Sequence, residues 1–251
     1  MPYVARDGVR LYYEDHGKGI ALLLSHGFGA ATGMWRRQVE AFQASHRLIP
    51  WDMRGHGNSD SPEDQALYSQ QHTAEDMRAL LDQLQIEHAV IAGHSLGGFM
   101  SLAFYVAYPQ RVQALILQGC GPGYRNADAR AAWNARAEQR ARTLETQGLT
   151  ALGGGAEVRV SMQRSALGLA NAARGILAQV DARVIDSLPH IRVPALIIVG
   201  EQDAPFVTGS HYMAARIPQA TEVVVPNAGH GANVEQPEVV NASIRQFLAR
   251  L

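Results

Sequence analysis

The chain has 251 residues, 47% of them hydrophobic and 18% charged, with a formal net charge of −1; that supplies one sizeable core and excludes a disordered chain. A near-neutral balance offers no basic field to a nucleic-acid backbone or an anionic membrane, and the strongest apolar runs, 21–24 and 195–199, are far too short to span a bilayer. The single Cys120 excludes an internal disulfide and, with no apolar leader-like run near Met1, leads to the expectation of a cytoplasmic protein.

In chain order, short apolar runs alternate with longer amphipathic ones. Residues 9–15 alternate as an edge strand does, and 20–24 read as a strand buried on both faces. Helical periodicity covers 34–43, then comes a weaker strand over 48–51, where Pro50 forfeits a ladder hydrogen bond. A helix over 73–84, a buried strand over 89–92, a helix over 96–108 and a strand over 114–117 come next. The last part reads as a strand over 195–199, a helix over 212–217, a strand over 222–225 and a helix over 237–250, with Pro237 at a first helical position where its missing N–H costs nothing. Buried strands alternating with helices imply an α/β fold with a mainly parallel sheet covered on both faces. Residues 121–188 break this rhythm: they are rich in Ala and Arg, carry Gly153-Gly154-Gly155, and contain no convincing strand. A crossover between neighbouring parallel strands needs only about a dozen residues. The stretch is therefore expected to be a helical cap inserted into a core made of 1–120 and 189–251, rather than one more pair of covering helices.

The strongest chemical signal is Gly93-His94-Ser95-Leu96-Gly97, set between a buried strand and an amphipathic helix. A G-x-S-x-G turn in that context is a nucleophile elbow: the glycines permit a sharp, strained turn that lifts the serine hydroxyl above the sheet edge. The plainer alternative is a glycine-rich turn with an N-capping serine. A serine hydroxyl needs a base, and in proteins with this elbow an acid and then a histidine come later in the chain. His230, in the loop Asn227-Ala228-Gly229-His230-Gly231 after the last strand, fits the base; the other nine histidines sit in structural motifs, turns, element boundaries or helix faces. Asp203, in the loop after strand 195–199, fits the acid, with Glu201 as its nearest rival. The loop after strand 114–117 reads Gln118-Gly119-Cys120 and offers no carboxylate. The oxyanion donors are expected to be the backbone N–H groups of Leu96 and Phe28, the latter in Ser25-His26-Gly27-Phe28-Gly29.

Jointly these motifs resemble the α/β-hydrolase superfamily, in its branch of serine esterases and 3-oxoadipate enol-lactonases, over essentially the whole chain outside the cap. Asp52-Met53-Arg54-Gly55-His56-Gly57-Asn58-Ser59 is similar to the family's D-x-R-G-x-G-x-S loop, whose role is mainly structural. The resemblance implies a mostly parallel eight-stranded sheet flanked by helices, a Ser95–His230–Asp203 triad and no cofactor or metal. Departures rank the activities. Ser95 stands where haloalkane dehalogenases and most epoxide hydrolases carry Asp; Gly231 stands where C–C bond hydrolases usually carry Trp; Phe28 stands where perhydrolases often carry Trp. Gly231-Ala232-Asn233-Val234-Glu235-Gln236-Pro237 is similar to the stretch just after the histidine in esterases and enol-lactonases. Hydrolysis of carboxylic esters with small to medium groups therefore ranks first, a lactonase second and a C–C hydrolase third. A small-molecule receptor on the same fold is the non-enzyme alternative. The expected partner is a small-molecule ester or lactone, not nucleic acid or membrane; oligomeric state is open, a homodimer included. Phe28, Leu96, Tyr124, Trp133, Met162, Phe206 and Val234 are the candidate pocket residues, and Trp133 reads equally well as pocket wall or as an anchor of the cap.

Overall fold

Leu22 and Leu24 pack into one core cluster and Leu23 into another, because consecutive side chains of a strand point to opposite faces of its sheet. The same alternation recurs in Val90 and Ile91, in Leu115 and Ile116, and in Ile197 and Ile198. These near-continuous apolar runs are thus central strands with helices on both sides, as parallel sheets require.

The computed structural model describes residues 2–251, so Met1 lies outside the described part. The order of elements is β1 (Tyr3–Arg6), β2 (Val9–Tyr12), β3 (His16–Gly17), β4 (Ala21–Ser25), α1 (Arg36–Phe42), β5 (Arg47–Trp51), α2 (Gln70–Gln83), β6 (Ala89–His94), α3 (Leu96–Ala107) and β7 (Val112–Gln118). Then come α4 (Ala127–Gln147), α5 (Ala156–Arg159), α6 (Ala166–Ala172) running into a π-helical turn (Ala173–Leu177), and α7 (Arg183–Ser187). The chain closes with β8 (Ala195–Gly200), α8 (Ala204–Arg216), β9 (Ala220–Val225), α9 (Ala232–Glu235) and α10 (Pro237–Leu248). The main sheet runs β3-β5-β4-β6-β7-β8-β9, with β3 antiparallel and the other six strands parallel. Helices α2, α3 and α8 supply Met77, Phe104 and Met213 to one core; α1 and α10 supply Phe42 and Phe247 to the other.

Two expectations about elements need correction. The sheet has seven strands, not eight, because β2 pairs with β1 in a separate antiparallel hairpin that meets the main sheet at the bridge Tyr13↔Trp51. The hairpin turns through Asp7 and Gly8, at φ 51° and 75°, the positive pair that a tight two-residue turn demands. The helix expected over 212–217 begins at Ala204, with Pro205 in its first turn, where proline is tolerated.

Buried polar groups lock the loops at the C-terminal edge of the sheet. Asp52 accepts hydrogen bonds from the backbone N–H of Thr32 at 2.7 Å and of Asn58 at 2.8 Å. Arg54 grips Asp76 with two bonds of 2.6 and 2.8 Å, both side chains being fully buried. The 52–59 motif thus does structural work in this chain. The Met53 N–H donates to Nε2 of His26 at 2.9 Å, and His26 Nδ1–H donates to Gly27 O at 2.7 Å, which fixes that ring as a neutral tautomer. Burial holds His26 well below its ordinary range, and pushes His56 down to about 4 and His94 down to about 3. Burial also pushes Asp52 up, to about 6.

These shifts give stability a sign in pH. The three imidazoles stay neutral in the folded chain but protonate near pH 6.5 once unfolded, so their contribution is fully present above about 6.5 and is lost as pH falls toward their folded values. Asp52 acts in the opposite sense, since the folded chain takes up its proton first. With three groups against one, the melting temperature is expected to fall steadily from about pH 7 to about pH 4.5. A melting temperature that holds constant or rises over that range would show that the buried imidazoles do not govern acid stability.

Candidate active site

Ser95 joins β6 to α3 with φ 53° and ψ −115°, a backbone state that non-glycine residues rarely adopt. What permits the turn is the absence of side chains on either side of it. A Cβ at Gly93 would lie 2.1 Å from the Gly97 carbonyl oxygen, and one at Gly97 would lie 2.2 Å from that of Ser25. The Ser95 N–H donates to Gln118 O at 2.8 Å, tying the turn to β7. Its side chain stays partly accessible while every neighbour from 89 to 94 and from 96 to 100 is buried. The sequence motif is therefore an elbow in this structure, not an N-cap: the Ser95 side chain makes no capping bond to α3.

His230 stands on the loop between β9 and α9. Its Nδ1–H donates to Asp203 Oδ2 at 2.8 Å, which leaves Nε2 as the acceptor. Asp203 is 4% exposed and sits at the N-terminal boundary of α8, directly after β8. Two rings hold the His230 imidazole: Phe206 stacks on it at 4.8 Å and His94 lies at 4.6 Å, its Nε2–H donating to His230 O at 2.8 Å. Glu201 is exposed and accepts from the backbone N–H of Asn227 at 3.2 Å, so the rival acid braces the loop and does not meet the histidine. Gly119 fills the alternative acid position. A Cβ there would come within 3.4 Å of both Asp203 Oδ2 and His94 Nε2.

The loop after β4 presses against the elbow because residue 27 has no side chain: a Cβ on Gly27 would lie 2.6 Å from His94 Nδ1 and 3.2 Å from Ser95 Cβ. The backbone N–H groups of Phe28 and Leu96 donate to no protein acceptor among the described residues, as free oxyanion donors require.

Ser95 opens into a cavity of about 350 Å³ between the sheet edge and the helical segment that links β7 to β8. Leu96, Tyr124, Trp133 and Phe206 line it as expected. Three expected pocket residues do not. The Phe28 ring turns into the core, edge-on to His56 at 5.5 Å and beneath the Arg140 guanidinium at 5.2 Å. Met162 is 75% exposed on the outer side of the segment. Val234 packs against the core on the other face, because α9 carries the chain away from the site toward α1. Phe99, Leu177 and Gln179 also line the cavity and escaped the sequence reading. Phe99 was within reach of it, being four residues beyond Ser95 on the same helical face. Nothing in the local sequence marks Gln179. Trp133 lines the cavity, and its Nε1–H donates to Leu177 O at 2.9 Å, a bond within residues 121–188 and not to the core. Among the described residues no three His, Cys, Asp or Glu side chains gather as metal ligands would, and no helix is long and apolar enough to cross a membrane.

Comparison with known proteins agrees with this geometry. A family model described as the α/β hydrolase fold matches residues 20–163. The chain is 32% identical over 255 residues to 3-oxoadipate enol-lactonase 1 of Acinetobacter baylyi, covering 93% of this chain and 91% of that protein. It is 39% identical over 113 residues to an epoxide hydrolase of Caballeronia sordidicola, covering 45% and 34% respectively. Among solved structures, a thermophilic esterase from Thermogutta terrifontis superposes with a TM-score of 0.85 at 27% identity, covering 99% of this chain and 96% of that one. Fold, elbow and relatives agree, and the chain is a hydrolase of the α/β-hydrolase fold family.

Proposed function

We propose that the protein cleaves carboxylic esters of small to medium acyl or alcohol groups through an acyl-enzyme intermediate. The observation that carries the reading is the strained Ser95 turn opening into a mainly apolar cavity beside an Asp203–His230 pair. In this reading Nε2 of His230 takes the Ser95 proton as Oγ attacks the ester carbonyl, and Asp203 stabilises the imidazolium. The N–H groups of Phe28 and Leu96 receive the oxyanion. His230 then passes the proton to the departing alkoxide, and a water attacks the acyl-serine by the same route in reverse. Residues 121–188 act as a cap inserted between core segments 1–120 and 189–251; they wall the pocket and carry none of the three reacting side chains.

Lactone hydrolysis is the same chemistry on a cyclic ester, and the likeness to an enol-lactonase over 93% of the chain keeps it as the second reading. Two features weigh against the others. Epoxide opening by a carboxylate nucleophile has no carboxylate here, since Ser95 holds the elbow. A Cβ at Gly231 would lie 2.9 Å from Glu157 Oε2 and 3.1 Å from Ala156 Cβ, so the tryptophan usual in C–C hydrolases would require Glu157 and α5 to shift.

Ser95→Ala is expected to lower kcat on p-nitrophenyl acetate and butyrate by roughly 10⁴-fold or more with an unchanged melting temperature. Asp203→Asn should cost far more kcat than Glu201→Gln, because asparagine can hold the imidazole in the wrong tautomer. Wild-type turnover by the serine variant would overturn the reading, and the reverse order of the acid variants would move the acid to position 201. Trp133→Ala should alter the ranking of esters by acyl length. It should also lower the melting temperature by roughly 5 °C, as a loss of about 2 kcal/mol would in a chain of this size. A change in one readout without the other would reduce Trp133 to a single role.

A further inference from the structure

The cavity beside Ser95 is walled mainly by apolar side chains, including Phe99, Trp133, Leu177 and Phe206, yet one polar side chain in that wall is almost sealed. Gln179 is 8% exposed. Its backbone is clamped to α4: the Gln179 N–H donates to Asn134 Oδ1 at 2.8 Å, and Asn134 Nδ2 donates back to Gln179 O at 2.9 Å. The side-chain amide is oriented as well. Oε1 accepts the Tyr124 backbone N–H at 3.1 Å, and only the oxygen end of an amide can do that. Nε2 is therefore the free end. It donates to no group among the described residues, and it is not among the polar atoms cut off from solvent. Gln179 is one of the residues that line the cavity, and Nε2 is the end of its side chain left without a protein partner. Tyr124, Thr208 and Tyr212 bring polar atoms to the same space, but each is partly or fully exposed and open to water.

A fixed donor in an apolar wall is costly when unmatched and discriminating when matched. We propose that Gln179 Nε2 selects substrate by donating a hydrogen bond to an acceptor oxygen, a keto or ether oxygen, carried by the group that enters this cavity. The ester class preferred here is thus one whose otherwise apolar acyl or alcohol part bears one such oxygen beyond the ester itself. Gln179 touches no reacting atom; it is a specificity residue, and the proposal rests on the reading of this cavity as the ester site.

The test compares p-nitrophenyl hexanoate with its isosteres in which one chain methylene, at successive positions, is replaced by an ether oxygen. The wild type is expected to favour at least one ether isostere in kcat/KM. Gln179→Glu keeps an acceptor for the Tyr124 N–H but removes the donor, and should lose about tenfold of that preference, read as the ratio of kcat/KM for the ether isostere to that for hexanoate. Gln179→Met, of similar length and without a donor, should lose the same preference. A purely structural role predicts equal loss on all the esters in both variants, which would overturn the proposal, as would a wild type indifferent to every ether position. A second arm does not depend on turnover: the esters are titrated into the Ser95→Ala protein, with quenching of Trp133 fluorescence as the signal. Tighter binding of an ether isostere there, abolished by adding Gln179→Glu, supports the donor even if the hydrolytic reading fails. Equal binding of all chains refutes the donor even if hydrolysis stands.

Discussion

A side chain at position 93 or 97 would drive its Cβ to within 2.2 Å of backbone oxygen, and the absence of both side chains is what lets the chain turn at Ser95 with φ 53°. The rest of the site hangs on this turn. Because Gly97 lies against Ser25 O and Gly27 lies against His94 and Ser95, the C-terminal ends of β4 and β6 interlock without intervening side chains. The Ser95 N–H bond to Gln118 brings β7 into the same knot. His94, pinned in that knot, reaches across to the carbonyl of His230. Backbone strain at one residue is thereby spread over three neighbouring strands, whose register the sheet fixes. This is how a single unfavourable φ persists in a marginally stable molecule.

Asp203 and His230 come from later in the chain and are placed by different means. β8 ends at Gly200 and the chain turns at once into α8, which sets Asp203 at the helix boundary and Phe206 flat against the His230 ring. The Asp203 bond and the two flanking rings leave the imidazole little freedom, so its unbonded nitrogen is presented by packing rather than by a flexible loop. The helical segment between β7 and β8 stands apart from this machinery. It touches the site through cavity walls such as Trp133 and Leu177, and through Glu157 beside Gly231. The cavity is thus walled jointly, by Leu96, Phe99 and Phe206 from around the sheet and by Trp133 and Leu177 from this segment.

How much was legible in the sequence depends on how local each signal is. The central strands could be read because full burial leaves an apolar run. The elbow could be read because its glycines sit at fixed spacing around Ser95, although the contact that demands Gly97 comes from Ser25, far away in sequence. The β1–β2 hairpin was missed, although Asp7-Gly8 is a turn signal, because β1 is only four residues long. The first half of α8 was missed because Pro205, Thr208 and Gly209 look like a loop until the helix is seen to start before them. Pocket residues were the hardest, since they depend on where a ring or chain points in three dimensions. Phe28 contributes its backbone and turns its ring inward; Met162 faces outward; Val234 goes to the other core. Gln179 became visible only when its two amide ends could be told apart by the Tyr124 bond.

The most direct test of the account is covalent. Treating the protein with an alkyl fluorophosphonate, and separately quenching a rapid reaction with p-nitrophenyl butyrate in acid, should give in each case one added phosphonyl or acyl mass per chain. Peptide mapping should place that mass on Ser95, and the Ser95→Ala protein should take up neither group. A stable adduct on another residue, or turnover of the ester with no adduct at Ser95 under quench conditions that preserve acyl-serines, would contradict the assignment of Ser95 as the nucleophile.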